Sequence, residues 1–150
     1  MTSSSSVSTG DFDLPLPDGW SDRTAVTLAG PASVDGYVPN VVVTREALCS
    51  SLGLGAFADG HLRLLREQAE EVSVLSTEDT RLGSSRAIVR TVRFRVGDSA
   101  PLVQLQAFVV GGGIGYALVG TSGEQSFADS EPRLREIFEG FRLVSDAVTA

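Results

Sequence analysis

The stretch Leu102-Val103-Gln104-Leu105-Gln106-Ala107-Phe108-Val109-Val110, then Gly111-Gly112-Gly113, then Ile114-Gly115-Tyr116-Ala117-Leu118-Val119-Gly120-Thr121, decides the fold. Two runs of strand length separated only by glycines describe a hairpin, because glycine supplies the positive φ angles of a tight turn. A phosphate cradle is the competing reading of the three glycines. The Lys and Ser/Thr of a P-loop are missing, however, and no helical pattern follows. Working outward, residues 87–96 and 72–77 also alternate, joined through residues 97–101 and 79–85. Four strands in succession with short Gly, Asp and Ser connections imply an antiparallel meander.

The period changes on either side of this meander. Phe57, His61, Leu64, Leu65 and Gln68 recur at spacings of three and four within residues 54–72, with charges on the complementary face, which predicts a first helix. Phe127, Leu134, Ile137, Phe138 and Phe141 repeat the pattern, with Ser130 as the expected N-cap and Pro132 in the first turn. Upstream, residues 24–29 and 40–45 read as strands, and Phe12, Leu14 and Leu16 as a short strand entering the turn Pro17-Asp18-Gly19-Trp20. Trp20 and Phe138 are expected to be largely buried. The fold class is therefore α+β: an antiparallel sheet with its apolar face covered by two main helices. Residues 1–10 are expected to be a disordered tail, residues 11–144 one domain, and residues 145–150 a frayed end.

Composition narrows the function. With 150 residues and 42% hydrophobic content the chain suits a single core. A net charge of −7 argues against nucleic acid, whose phosphates are neutralised by basic residues. Every basic residue is Arg, read first as codon bias. The single cysteine, Cys49, excludes an internal disulfide and a thiolate metal cage. No run is long enough to span a bilayer, and the Ser-rich start lacks the features of a signal peptide. The expected compartment is the cytoplasm, with no membrane insertion.

No catalytic set emerges. His61 lacks an orienting partner and nucleophile in sequence, and Cys49 has no signature that would pair it with His61. Neighbouring acids such as Glu70/Glu71 read as surface charge, and one His with one Cys matches no zinc or calcium spacing. No metal, cofactor or enzymatic activity is expected. Gln104 and Gln106 instead draw notice, because two amides project from one face of a strand that is apolar on both. Such a sheet suggests that the face away from the helices meets a second subunit or an apolar ligand.

The run Phe12 to Trp20, then Pro39-Asn40-Val41-Val42-Val43-Thr44-Arg45-Glu46, the helix Phe57 to Leu62, the strand Gln104 to Phe108 and the terminal Phe138 to Leu143 together resemble the DcrB-related proteins of the Mog1/PsbP-like fold. The resemblance implies an antiparallel sheet with flanking helices and no enzymatic activity. The best understood branch comprises the effector-associated chaperones of type VI secretion, which dimerise and shield apolar helices of toxins before export. By that resemblance Val26, Leu28, Val41, Val43, Gln104 and Gln106 match groove positions on the strands. His61 stands at the groove margin, where the chaperones often carry Gln. The implied partner is an apolar helical segment of a secreted effector, and the implied assembly a homodimer. The alternative is an envelope-associated ligand-binding module on the same fold.

Overall fold

The computed structural model describes Ser5–Ser8, residues 11–49 and residues 51–144. Strands β1 (Ser5–Ser8) and β2 (Asp13–Leu16) form a small antiparallel pair. Then follow β3 (Ala25–Ala29), β4 (Asn40–Ala47), helix α1 (Leu54–Gln68), β5 (Glu70–Leu82), β6 (Ser85–Arg95), β7 (Leu102–Gly111), β8 (Ile114–Gly123) and helix α2 (Phe127–Glu139). The last six strands make one sheet in the order β3-β4-β8-β7-β6-β5, antiparallel throughout. The α+β class and the two main helices are as expected.

The hairpin that decided the fold has the predicted turn. Gly111 pairs with Ile114, so Gly112 and Gly113 alone make the connection, with φ of 60° and 76°. Positive φ at both central positions matches the right-handed twist of the flanking strands.

Alternation on β7 divides the core in two. Leu105, Ala107 and Val109 point to one face, where they pack with Val41, Val89, Leu118 and with Leu134 and Phe138 of α2. Phe108 points to the other, against Ala117 and against Phe57 and Ala58 of α1. The helices thus lie on opposite faces, and neither face is left bare as the sequence reading supposed. Close approach to α1 depends on Gly115, where a Cβ would stand 2.7 Å from the Phe57 ring.

Four further expectations are corrected. Residues 5–8 of the supposed tail pair with β2 instead of standing free. Strand β5 runs on through residues 79–82, which the sequence reading gave to the connection 79–85; an edge strand can turn charged side chains such as Asp79 and Arg81 to water. Helix α2 begins at Phe127 after a 3-10 turn, Glu124–Ser126, so Ser130 and Pro132 lie inside it. Trp20 is 73% exposed, in a turn whose residues 17–20 are all exposed, whereas Phe138 is buried at 2%. The expected fraying of residues 145–150, and the rest of the tail at 1–4 and 9–10, fall outside the described residues. Among those residues no helix is long and apolar enough to cross a membrane.

Candidate functional site

Register across the sheet settles which proposed groove residues share a face. Val26 pairs with Val43 and Leu28 with Val41, and Val43 continues to Leu118 and Ala107. Directly opposed residues share a face, so these four side chains lie on the α2 side. Gln104 and Gln106 precede Phe108 by four and two residues and so lie on the α1 side with it. The structure therefore splits the expected groove into two groups.

The α2 side holds a cleft of about 480 Å³ between β3, β4, the connection from Gly30 to Pro39, and α2. Leu28, Pro31, Pro39, Val41, Leu134 and Ile137 line it and make it chiefly apolar, while Asp129 and Arg133 add charges of both signs. Val41 is its buried floor at 1% exposure, and Leu28 its open wall at 48%. Val26, one residue pair along, is 56% exposed, and Val43 is half-buried against the core. Of these lining residues only Leu28 and Val41 were identified from sequence. Leu134 and Ile137 had been read as core, since a helix stripe does not reveal where it overhangs the sheet.

The connection from Gly30 to Pro39 is strapped down. Asp35 accepts hydrogen bonds from the Tyr37 amide at 3.1 Å and from the Ser126 hydroxyl at 2.9 Å, and these two donors hold its carboxyl below the ordinary range. Ser126 in turn lies 3.1 Å from the buried Ser122 hydroxyl. One wall of the cleft is thereby tied to the start of α2.

On the opposite face the two amides are committed within the chain. Arg90, only 3% exposed, donates from Nε to Gln106 Oε1 at 3.0 Å and from Nη2 to the Ala58 carbonyl of α1 at 3.0 Å. Gln106 donates to Gln104 Oε1 at 2.9 Å, and Gln104 to Thr121 Oγ1 at 3.1 Å. The guanidinium also stands 4.9 Å from the centre of the Phe108 ring. Burial pushes the Arg90 pKa down, while Asp59 on α1 adds an attractive charge. Arg90 went unnoticed in the sequence, although a cation between Ile88 and Val92 on one face of a central strand is the signal of a buried polar network.

These amides are therefore a joint between sheet and α1. Replacing Gln106 with Leu is expected to lower stability by about 2–3 kcal/mol, because it strands a buried charged donor, and Gln104→Ala to cost only about 1 kcal/mol. Urea denaturation measures both; equal stability for wild type and Gln106→Leu would refute the joint.

His61 sits on α1 with its ring centre 4.9 Å from that of Phe57 and 5.2 Å from that of Phe108, and Nε2 3.4 Å from Glu46 Oε1. It lines a second, more polar cleft of about 590 Å³ with Asp22, Arg23, Arg45 and Glu46. The structure places it away from the apolar cleft. Cys49 is exposed, its sulfur 3.6 Å from Ser51 Oγ, and hydrogen bonding from Ser51 draws its thiol pKa downward.

The chain is similar in structure to PA94 of Pseudomonas aeruginosa, a protein of unknown function, with 16% identity and a TM-score of 0.77, covering 93% of this chain and 96% of that one. It is also similar to the PsbP protein (CyanoP) of Synechocystis sp. PCC 6803, with 13% identity and a TM-score of 0.58, covering 95% and 94%. The fold is thus PsbP-like. No curated protein matches the sequence. The DcrB family model matches residues 10–136, most of the chain, and so the protein belongs to the DcrB family.

Proposed function

We propose that this protein is a non-enzymatic binding protein which shields an apolar helical segment of another protein in the cleft between β3, β4 and α2. The observation that carries the reading is the apolar strip formed by Val26 and Leu28, about half exposed, which runs into the floor and far wall at Val41, Leu134 and Ile137. An amphipathic helix laid there would insert aliphatic side chains at helical spacing. Burial is worth roughly 25 cal/mol per Å², less the cost of association. The likeness in sequence to effector-associated chaperones supports a secreted effector as the source of that helix and the cytoplasm as the place of capture. The two glutamines are not part of this surface, being hydrogen-bonded on the other face.

Leu28→Asp tests the reading. The side chain is half exposed, so the variant is expected to fold, as circular dichroism would show, and to lose captured partner by at least tenfold in co-purification from the native host, because the complex would bury an unpaired charge. A folded Leu28→Asp protein that retains the same partner would place the surface elsewhere. A second reading, a small apolar ligand, draws on the cleft volume, which falls within the roughly 300–1,000 Å³ typical of ligand pockets. Under that reading a medium-chain fatty acid would raise the melting temperature of wild type and not of Leu28→Asp.

A further inference from the structure

Strand β4 is longer than its outer neighbour. It pairs with β8 along its whole length, from Asn40 to Ala47, but with β3 only from Asn40 to Thr44. Among the described residues no strand lies beside Arg45, Glu46 and Ala47 on the β3 side, and all three are exposed. The chain ahead of β3 turns aside at this point. The Thr24 amide donates to Asp22 Oδ1 at 2.8 Å, and the Thr24 hydroxyl donates to the same oxygen. A side chain thus takes the donor that would have carried the β3–β4 ladder one step further.

The direction of the β4 backbone follows from its two ends. The Gly30 amide donates to the Pro39 carbonyl at 2.9 Å, and the Leu48 amide donates to the Gly113 carbonyl at 2.9 Å. Successive residues of a strand turn their N–H and C=O groups to opposite sides. Pro39 faces β3 and Leu48 faces β8, so Val41, Val43, Arg45 and Ala47 all direct theirs toward β3. Beyond Thr44 that side is open. The Arg45 carbonyl and the Ala47 amide and carbonyl therefore point into the polar cleft of about 590 Å³, whose opposite wall is residues 21–24.

Side chains of both signs surround this open edge. The Glu46 carboxylate is about half exposed, with Oε1 3.4 Å from His61 Nε2. The two bonds from Thr24, and the charge of Arg45, hold the Asp22 carboxyl below its ordinary range. Arg23 donates from Nε to Ser21 Oγ at 3.4 Å, which leaves its two Nη groups for the cleft. Leu64, half exposed on α1, and Ile114 add apolar surface.

We propose that this cleft binds a short peptide with free termini, two or three residues long, laid along Arg45, Glu46 and Ala47 where the continuation of β3 is missing. Addition of an extended chain to a sheet edge draws its affinity from main-chain hydrogen bonds, and here the Arg45 and Ala47 groups supply them. The carboxylate of the peptide pairs with Arg23, its ammonium group with Glu46, and its side chains rest on Leu64 and Ile114. Length agrees, since three extended residues span about 10 Å and the open edge is itself three residues long. The volume lies within the roughly 300–1,000 Å³ of ligand pockets. Guanidinium groups beside the acids disfavour a bare metal cation. This site is separate from the apolar cleft and does not rest on the capture reading.

Calorimetric titration of the full chain with tri-alanine tests the proposal. A dissociation constant of about 0.1–1 mM is expected for a ligand of this size. Tri-alanine with both amides N-methylated, tri-alanine acetylated and amidated at its ends, and free alanine should each bind at least about fivefold more weakly. They lack, respectively, the main-chain donors, the terminal charges and the length. Ala47→Pro deletes the inward-pointing donor of the cleft and leaves the β8 ladder intact, so it should fold and lose about fivefold in affinity. Arg23→Gln, at an exposed position, should lose a similar factor by weakening the hold on the carboxylate. Leu28→Asp, in the other cleft, should bind tri-alanine as wild type does. No heat and no shifted amide resonances at about 10 mM peptide would overturn the proposal. So would equal affinity for the N-methylated peptide, the capped peptide or alanine, or unchanged affinity in Arg23→Gln or a folded Ala47→Pro. Should Ala47→Pro fail to fold, the N-methylated peptide on wild type decides the main-chain contact.

Discussion

Val41→Asp is expected to leave the domain unfolded at room temperature, in contrast to the folded Leu28→Asp protein. The two residues are direct cross-strand partners on one sheet face, yet Val41 is 1% exposed and Leu28 48%. Val41 packs in the cluster with Leu105, Leu118, Leu134 and Phe138, none of which could pair with a carboxylate. The group would have to take up a proton or stay charged without a partner, and either route costs several kcal/mol. A domain of this size has only about 5–15 kcal/mol to lose. Circular dichroism with a thermal melt decides the point: a cooperative transition within a few degrees of wild type would mean that Val41 faces solvent.

Phe108→Ala should cost about 3–5 kcal/mol, from lost burial and the cavity left behind. Phe108 is fully buried, its ring edge-on to Phe57 at 5.8 Å and faced by the Arg90 guanidinium. Its removal takes away what α1 rests on, together with the aromatic partner of His61. Urea unfolding should show the midpoint falling sharply, with α2-face variants such as Leu28→Asp far milder. A loss under about 1 kcal/mol would mean that α1 is held chiefly by the Arg90 joint.

The order of strands and helices was legible because period and turn chemistry are local. Residues 102–121 needed only their alternation and three glycines to be read as a hairpin. The relation between distant strands was not legible. Whether Gln104 shares a face with Val41 depends on the register of β4 with β8 and of β8 with β7, and a slip of one residue would exchange the faces. Sequence supplies no measure of that slip, so amides belonging to one face were grouped with aliphatic residues of the other. Trp20 failed for a different reason: its size suggests burial, but it sits in a turn whose residues 17–20 are all exposed, and turn chemistry in the sequence does not say whether the turn meets the core. In the cleft, the strand half was reached through the family resemblance, which pointed to Leu28 and Val41, whereas the half contributed by α2 depends on where that helix crosses the sheet.

The Arg90 joint has one more consequence. A guanidinium stays protonated in a folded protein, and amides, hydroxyls and backbone carbonyls do not titrate. The chain from Ala58 through Arg90, Gln106 and Gln104 to Thr121 is consequently blind to acidity. The strap at Asp35 is the reverse case, since its two donors serve a carboxylate and weaken once that carboxylate takes up a proton. Acid therefore acts unequally on the two networks: it weakens the strap beside the apolar cleft and leaves the hydrogen bonds that run from Ala58 to Thr121 as they are.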